Sequence, residues 1–330
     1  MISGNWKPGL TNLKNVYYGP GCVAKYLLNA LERSSSKVFI ITGNSLATKT
    51  PLVHRLETLL GDHHAGTFSE IRQHGPLEDV DRAVAAILSC GEGVETILSL
   101  GGGSPIDTAK VISLRVKETR GTFLTHLTVP TTLSAAECTS GGGYTKPDGV
   151  KIGFRKPEMG VSAIFYDSYF AQYTPKDLWL STGMRAMDHA IESYASSGLK
   201  GENLPGGMGL SHSLGYALGS PYNIPHGFAS CMTLGKVIKL KAHESRVNAS
   251  QIARLLGATG GNPTGDDLKD ALEVGDRVLA LVQSLKLDVG NLSSRGISSG
   301  EVQIIVQRAL SGITEGPLYK PVEELVQSLF

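Results

Sequence analysis

The sequence predicts a chain of two domains, an α/β half built on a parallel sheet followed by an all-α half. Three observations carry this expectation. At 330 residues the chain exceeds the roughly 250–300 residues at which a single hydrophobic core stops growing. From Gly19 to about Asp167, short β-branched runs alternate with segments of helical spacing, the pattern of a sheet with helical crossovers. Beyond Tyr173-Thr174-Pro175 the β-rich runs stop and apolar residues recur at helical spacing. The division is expected near residue 170, giving domains 1–170 and 171–330.

Taken in order, Val38 to Thr42 reads as a strand, and its apolar run Val38-Phe39-Ile40-Ile41 is continuous, as in strands covered on both faces. Helices follow near Leu52 to Leu60 and Leu77 to Cys90, then a strand from Val94 to Leu100. In the second half, helical spacing covers Leu178 to Ser196, Leu210 to Leu218, Ala229 to Lys241, Asp267 to Leu285 and Glu301 to Ala309. Gly198 to Gly209 is a link rich in Gly, Pro and Asn.

Composition narrows the function classes. Hydrophobic residues at 41% and charged residues at 18% are ordinary for a globular protein, and the 40 glycines come without a repeat. A net charge of +1, with no basic run, argues against nucleic acid or an anionic membrane surface as partner and for a small molecule. Met1 to Leu10 lacks a signal-peptide core, and no stretch approaches the roughly 20 apolar residues of a membrane span. Cys22, Cys90, Cys138 and Cys231 are scattered without a CxxC pair, which fits reduced thiols. A cytoplasmic protein is expected.

The sharpest local signal is Val94 to Leu100 running into Gly101-Gly102-Gly103-Ser104-Pro105, a strand, a glycine turn and a helix start. Ser104 is expected as N-cap, Pro105 as the first helical residue and Asp107 as the capping-box acid. Such a turn lets a phosphate approach backbone N–H groups at a helix N-terminus. Taken alone, a tight glycine turn with a well-capped helix is the alternative explanation of the segment. A second segment, Val129-Pro-Thr-Thr-Leu-Ser134, follows another short strand with hydroxyls suited to ribose or phosphate oxygens.

GGGSPIDTAK, VPTTLSAAE at 129–137 and GVK at 149–151 together resemble the iron-containing (group III) alcohol dehydrogenases, which include the maleylacetate reductases. SAIFYD at 162–167, TGMRAMDHAIESY at 182–194 and GLSHSLGYALGSPYNIPHG at 209–227 extend the resemblance over nearly the whole chain. It implies a Rossmann-like N-terminal domain and an all-α C-terminal domain, an architecture shared with dehydroquinate synthase, with the active site in the cleft between them. It also implies dinucleotide contacts at Gly101, Gly102, Gly103, Ser104, Asp107, Thr131, Thr132, Ser134 and Lys151, and His74 matches a family turn near the cofactor. The turn after Val38 to Thr42 reads Gly43-Asn44-Ser45. Without a carboxylate there to repel a 2′-phosphate, NADP(H) is expected in preference to NAD(H), which stays possible.

His189, His212 and His226 fall on three of the family's metal-ligand positions. The fourth, an aspartate in metal-dependent members, is Arg185 here. A guanidinium has no lone pair to donate and repels a cation, so no catalytic metal is expected, as in the maleylacetate reductase branch. Asp188 is about 100° around the helix from His189, a poor substitute. Arg185 is expected to stabilise the oxyanion or hold a substrate carboxylate, or else to be a helix-face arginine. Tyr216 stands where the family usually has a further histidine, and either it or His212 is expected to move the proton. Only 23 residues separate His189 from His212, so 198–209 reads as a deletion relative to the family. The expected activity is an NAD(P)H-dependent oxidoreductase of a small carbonyl or alcohol, in a homodimer. A repurposed lyase, dehydratase or isomerase on the same fold, or a non-catalytic dinucleotide-binding protein, are the alternatives.

Overall fold

The computed structural model describes residues 3–7, 12–196 and 209–330. Two compact units divide the chain, Met1–Pro175 and Lys176–Phe330.

The first unit carries a seven-stranded sheet and a two-stranded hairpin. Its strands are β1 (Gly4–Trp6), β2 (Asn15–Tyr18), β3 (Lys37–Ile41), β4 (His64–Phe68), β5 (Val94–Gly101), β6 (Thr125–Pro130), β7 (Gly141–Thr145), β8 (Lys151–Arg155) and β9 (Ala163–Tyr166). The sheet order is β1-β2-β9-β6-β5-β3-β4, and every pairing except β1 with β2 is parallel. Helices α1 (Cys22–Tyr26), α2 (Asn44–Lys49), α3 (Leu52–Leu60), α4 (Leu77–Ser89) and α5 (Gly103–Arg120) connect the strands, and α6 (Ser168–Ala171) follows the last of them. Both faces are covered. Val38, Ile40, Leu98 and Leu100 pack into one core with α3, whereas Phe39, Ile41 and Ile97 pack into another with α4 and α5. That is why the strands read as continuous apolar runs.

The chain leaves β3 for the edge strand β4 but leaves β5 in the opposite direction for β6. In open α/β sheets ligands bind outside the carboxyl ends of strands at such a reversal. The turns Gly43–Ser45 and Gly101–Ser104 follow β3 and β5, so the topology brings both to that place. Thr42 Oγ1 donates to Leu100 O at 2.9 Å and ties the two strand ends together.

Among its described residues the second unit is helical, with α7 (Lys176–Ser196), α8 (Leu210–Tyr222), α9 (His226–Glu244), α10 (Arg246–Ala253), α11 (Asp267–Ser284), α12 (Val302–Ala309) and α13 (Tyr319–Gln327). Helix α9 packs against α7, α8, α10 and α11. Glycines permit this closeness: a Cβ on Gly227 would lie 2.5 Å from Ser181 O, and one on Gly235 would lie 3.0 Å from Gly275 O. No helix of the described residues is long and apolar enough to cross a membrane. The short link at Gly198–Gly209 lies, apart from Gly209, outside the described residues.

Candidate functional site

In the α/β unit the expected cofactor residues fall into one neighbourhood. Gly101 ends β5 at φ +136, a conformation that strains a residue with a side chain. A Cβ there would also lie 3.2 Å from Leu46 of α2, which places the Gly43-Asn44-Ser45 turn alongside. Thr131 N donates to Gly101 O at 2.8 Å. Thr132 Oγ1 lies 3.0 Å from where a Gly102 Cβ would be, and Ser134 Oγ lies 3.4 Å from the same point on Gly103. The hydroxyl segment therefore rests directly on the bare glycine backbone.

One expectation for this turn is corrected. Helix α5 begins at Gly103 with Gly102 as its N-cap, and no side chain caps it. Ser104 is already inside the helix, where its Oγ accepts from His74 N at 3.2 Å, and Asp107 Oδ1 pairs with Lys110 Nζ at 3.1 Å. Both would-be capping groups have other partners, distant His74 for Ser104 and Lys110 of the same helix for Asp107, and the first-turn N–H groups of α5 meet no side-chain cap. Lys151 opens β8 opposite Thr145, whose Oγ1 donates to His74 O at 2.9 Å. Burial, and after it the Lys151 charge, push the His74 imidazole down to about 4. His74 and Lys151 thus join the neighbourhood of Ser104.

The helical unit gathers the other five candidates. His189 on α7 and His212 on α8 face each other with Nε2 atoms 3.0 Å apart. The Tyr216 ring sits edge-on to His212 at 5.8 Å and to His226, the first residue of α9, at 5.6 Å. Arg185 Nη1 and His226 Nδ1 lie 3.3 and 3.9 Å from the point a Gly215 Cβ would occupy, which places both side chains against the same spot on α8.

Two buried carboxylates that sequence reasoning discounted or missed hold this arrangement. Asp188, completely buried, accepts on Oδ2 from Arg185 Nη1 at 3.1 Å, Ser230 Oγ at 2.6 Å and Ser211 Oγ at 3.1 Å. Glu192 accepts from the Ser211 and His212 backbone N–H groups at 2.7 and 3.3 Å, and its Oε2 lies 3.4 Å from His212 Nδ1. Asp188 is a poor substitute for a ligand beside His189, yet it is the partner of Arg185. The available signal was spacing: 185, 188 and 192 share one face of α7, and charge on a face that packs inward marks a buried network.

Burial pushes the Glu192 carboxyl up to about 6, against backbone N–H groups and Arg185 that favour its charge. Asp188 is raised by burial and by Glu192. Burial, then the Arg185 and His212 charges, push His189 down to about 3, which keeps it neutral at physiological pH.

This chemistry decides whether a divalent ion fits. His189 and His212 offer lone pairs, and atoms of Asp188, Glu192 and His212 lie within 4.8 Å of one another. Asp188 Oδ2 serves the guanidinium and Glu192 the start of α8, whereas Asp188 Oδ1 is buried without a hydrogen-bond partner, and the positive charge of Arg185 lies in the same cluster. Arg185 already sets a cation against Asp188.

Comparison with known proteins gives the same outline. Residues 14–168 match the family description "Iron-containing alcohol dehydrogenase", and residues 205–330 match "Fe-containing alcohol dehydrogenase family, C-terminal". A maleylacetate reductase of Rhizobium sp. is 28% identical over 311 residues, spanning 78% of this chain and 85% of its own length. The 1-propanol dehydrogenase PduQ of Salmonella typhimurium is 24% identical, spanning 91% of this chain and 92% of its own. The crystal structure of an archaeal halo-thermophilic alcohol dehydrogenase from a Red Sea brine pool superposes with a TM-score of 0.81 at 17% identity, covering 100% of this chain and 99% of the other.

Proposed function

The chain belongs to the iron-containing alcohol dehydrogenase family and is an NAD(P)-dependent oxidoreductase of small organic substrates, and from that premise we propose that it uses NADP(H) in preference to NAD(H) and works without a catalytic metal. The observation that carries the second half is the Arg185–Asp188 pair, which supplies a fixed cation in the histidine cluster.

The reduced nicotinamide supplies a hydride when bound; everything else falls to the chain. In the α/β unit the proposed contacts are Gly43, Asn44, Ser45, Gly101, Gly102, Gly103, Ser104, Asp107, Thr131, Thr132, Ser134 and Lys151. The first-turn N–H groups of α5 suit a phosphate, and the Gly43-Asn44-Ser45 turn has no carboxylate to repel a 2′-phosphate. In the helical unit, Asp188 and Ser230 engage one nitrogen of Arg185, and the guanidinium faces the oxygen on which negative charge develops. The Glu192 charge 3.4 Å from His212 Nδ1 favours a proton on that nitrogen, which leaves Nε2 to accept from His189. Tyr216, its ring against His212 and His226 and its side chain partly exposed, gives its hydroxyl proton to the alkoxide and recovers one from solvent, with the charge of the His212–Glu192 pair setting how readily.

The test has two parts. Titration with both cofactors is expected to give tighter binding of NADPH, and tighter NADH binding refutes the preference. Protein purified without chelator is expected to carry substoichiometric zinc and iron while oxidising NADPH with a carbonyl panel; a stoichiometric metal required for turnover refutes the metal-free reading.

A further inference from the structure

Lys110, on α5, is fully buried, and no step described above uses it. Taking an ammonium out of water is costly unless its protons find acceptors. Here three N–H donors meet four oxygens: Ala136 O at 2.7 Å, Gly141 O at 2.7 Å, Asp107 Oδ1 at 3.1 Å and Thr139 Oγ1 at 3.2 Å. Its stem is roofed by β7, where a Cβ on Gly142 would lie 3.2 Å from Lys110 Cβ and 2.8 Å from Asp107 O.

Those oxygens belong to two places. Asp107 is on the second turn of α5. Ala136, Thr139 and Gly141 lie along the connection from β6 to β7, the same connection that carries Thr131, Thr132 and Ser134. That connection has little regular structure of its own: one 3-10 turn, Ala136–Cys138, entered through Ala135 at φ 58. Where its hydroxyls stand relative to Gly102 and Gly103 is therefore set by what ties it to α5.

We propose that Lys110 is a positioning residue for dinucleotide binding, its buried ammonium locking the hydroxyl segment 131–139 onto the first turns of α5. This rests on the dinucleotide reading above. Without the lock the segment drifts from the glycine turn, and a misplacement of about 1 Å is enough to weaken a preorganised contact strongly.

Lys110→Met fills the channel but removes the charge. The dissociation constant for NADPH is expected to rise about tenfold or more, with kcat at saturating cofactor within about twofold of the parent. Amide exchange in 131–139 is expected to accelerate while β5 and β6 keep their protection. Thr139→Val, at an exposed residue, removes one acceptor and is expected to move both readouts the same way by a smaller factor with an unchanged melting temperature. Folded Lys110→Met with unchanged NADPH binding overturns the proposal, as does weakened binding without faster exchange in 131–139. If Lys110→Met does not fold, Thr139→Val decides alone, unchanged binding and exchange overturning it. A parent protein that binds no dinucleotide refutes the cofactor reading instead, and the exchange data then still test the lock.

Discussion

Arg185 donates through Nη1 to Asp188 Oδ2 at 3.1 Å, and both side chains are buried one turn apart on α7. Removing one partner of a buried ion pair leaves the other charge uncompensated, which costs about 3–5 kcal/mol. Arg185→Ala is therefore expected to lower both unfolding free energy and kcat/KM, whereas Arg185→Lys, which keeps the charge but not the planar fork, should recover more stability than activity. Denaturant unfolding beside steady-state kinetics checks this; parent-like unfolding of Arg185→Ala would contradict a working pair.

Asn44 opens α2 in the turn after β3. Asn44→Asp introduces a carboxylate where a 2′-phosphate is proposed to sit. NADPH binding is expected to weaken about tenfold, with NADH binding unchanged or tighter. Fluorescence titration with both cofactors measures the ratio, and equal weakening of the two would show that this turn does not read the ribose.

Glu192→Gln keeps an acceptor for the start of α8 but takes the negative charge from beside His212. A fall in kcat of about tenfold or more is expected, with the cofactor dissociation constant unchanged, because the lesion is in proton handling. A loss confined to cofactor affinity would place Glu192 in a different role.

His126 on β6 is buried, with Nε2 2.8 Å from Ser99 Oγ, and burial followed by the Lys110 charge pushes it down to about 3. Below its ordinary value near 6.5 the unfolded chain takes up a proton there that the folded chain refuses. Its contribution is thus fully present above pH 6.5 and drains away as pH falls towards 3, at up to about 1.4 kcal/mol per pH unit. His126→Asn is expected to flatten the acid side of the stability curve by one proton. Urea unfolding at pH 7, 6 and 5 reads the slope, and an unaltered slope would mean that His126 does not titrate this way.

The α/β half was legible because both sheet faces are buried, which makes β3 and β5 unmistakable apolar runs, and because a glycine turn after a strand has few other uses. The start of α5 was misplaced by two residues, and Ser104 answers instead to His74, a partner distant in sequence. Helix α13 lies beyond the helical segments expected, and it tolerates Pro321 because that residue sits in the first turn, where its missing N–H costs nothing. The histidine cluster was visible only through resemblance. Its supports were not read: Asp188 and Glu192 showed only as charges sharing a face of α7 with Arg185, while Ser211 and Ser230 matter through contacts between three helices that nothing local to them marks.

Glu192 grips the backbone of Ser211 and His212 directly, so the last turns of α7 and the first turn of α8 are pinned together across the intervening sequence. The imidazole pair is consequently insulated from the length of that sequence. Extra residues inserted between Ser196 and Gly209 would add loop entropy growing only logarithmically, about 0.6 kcal/mol per doubling, while the pin keeps His189 and His212 in register. A chain built this way can gain or shed residues between α7 and α8 without rebuilding the imidazole pair.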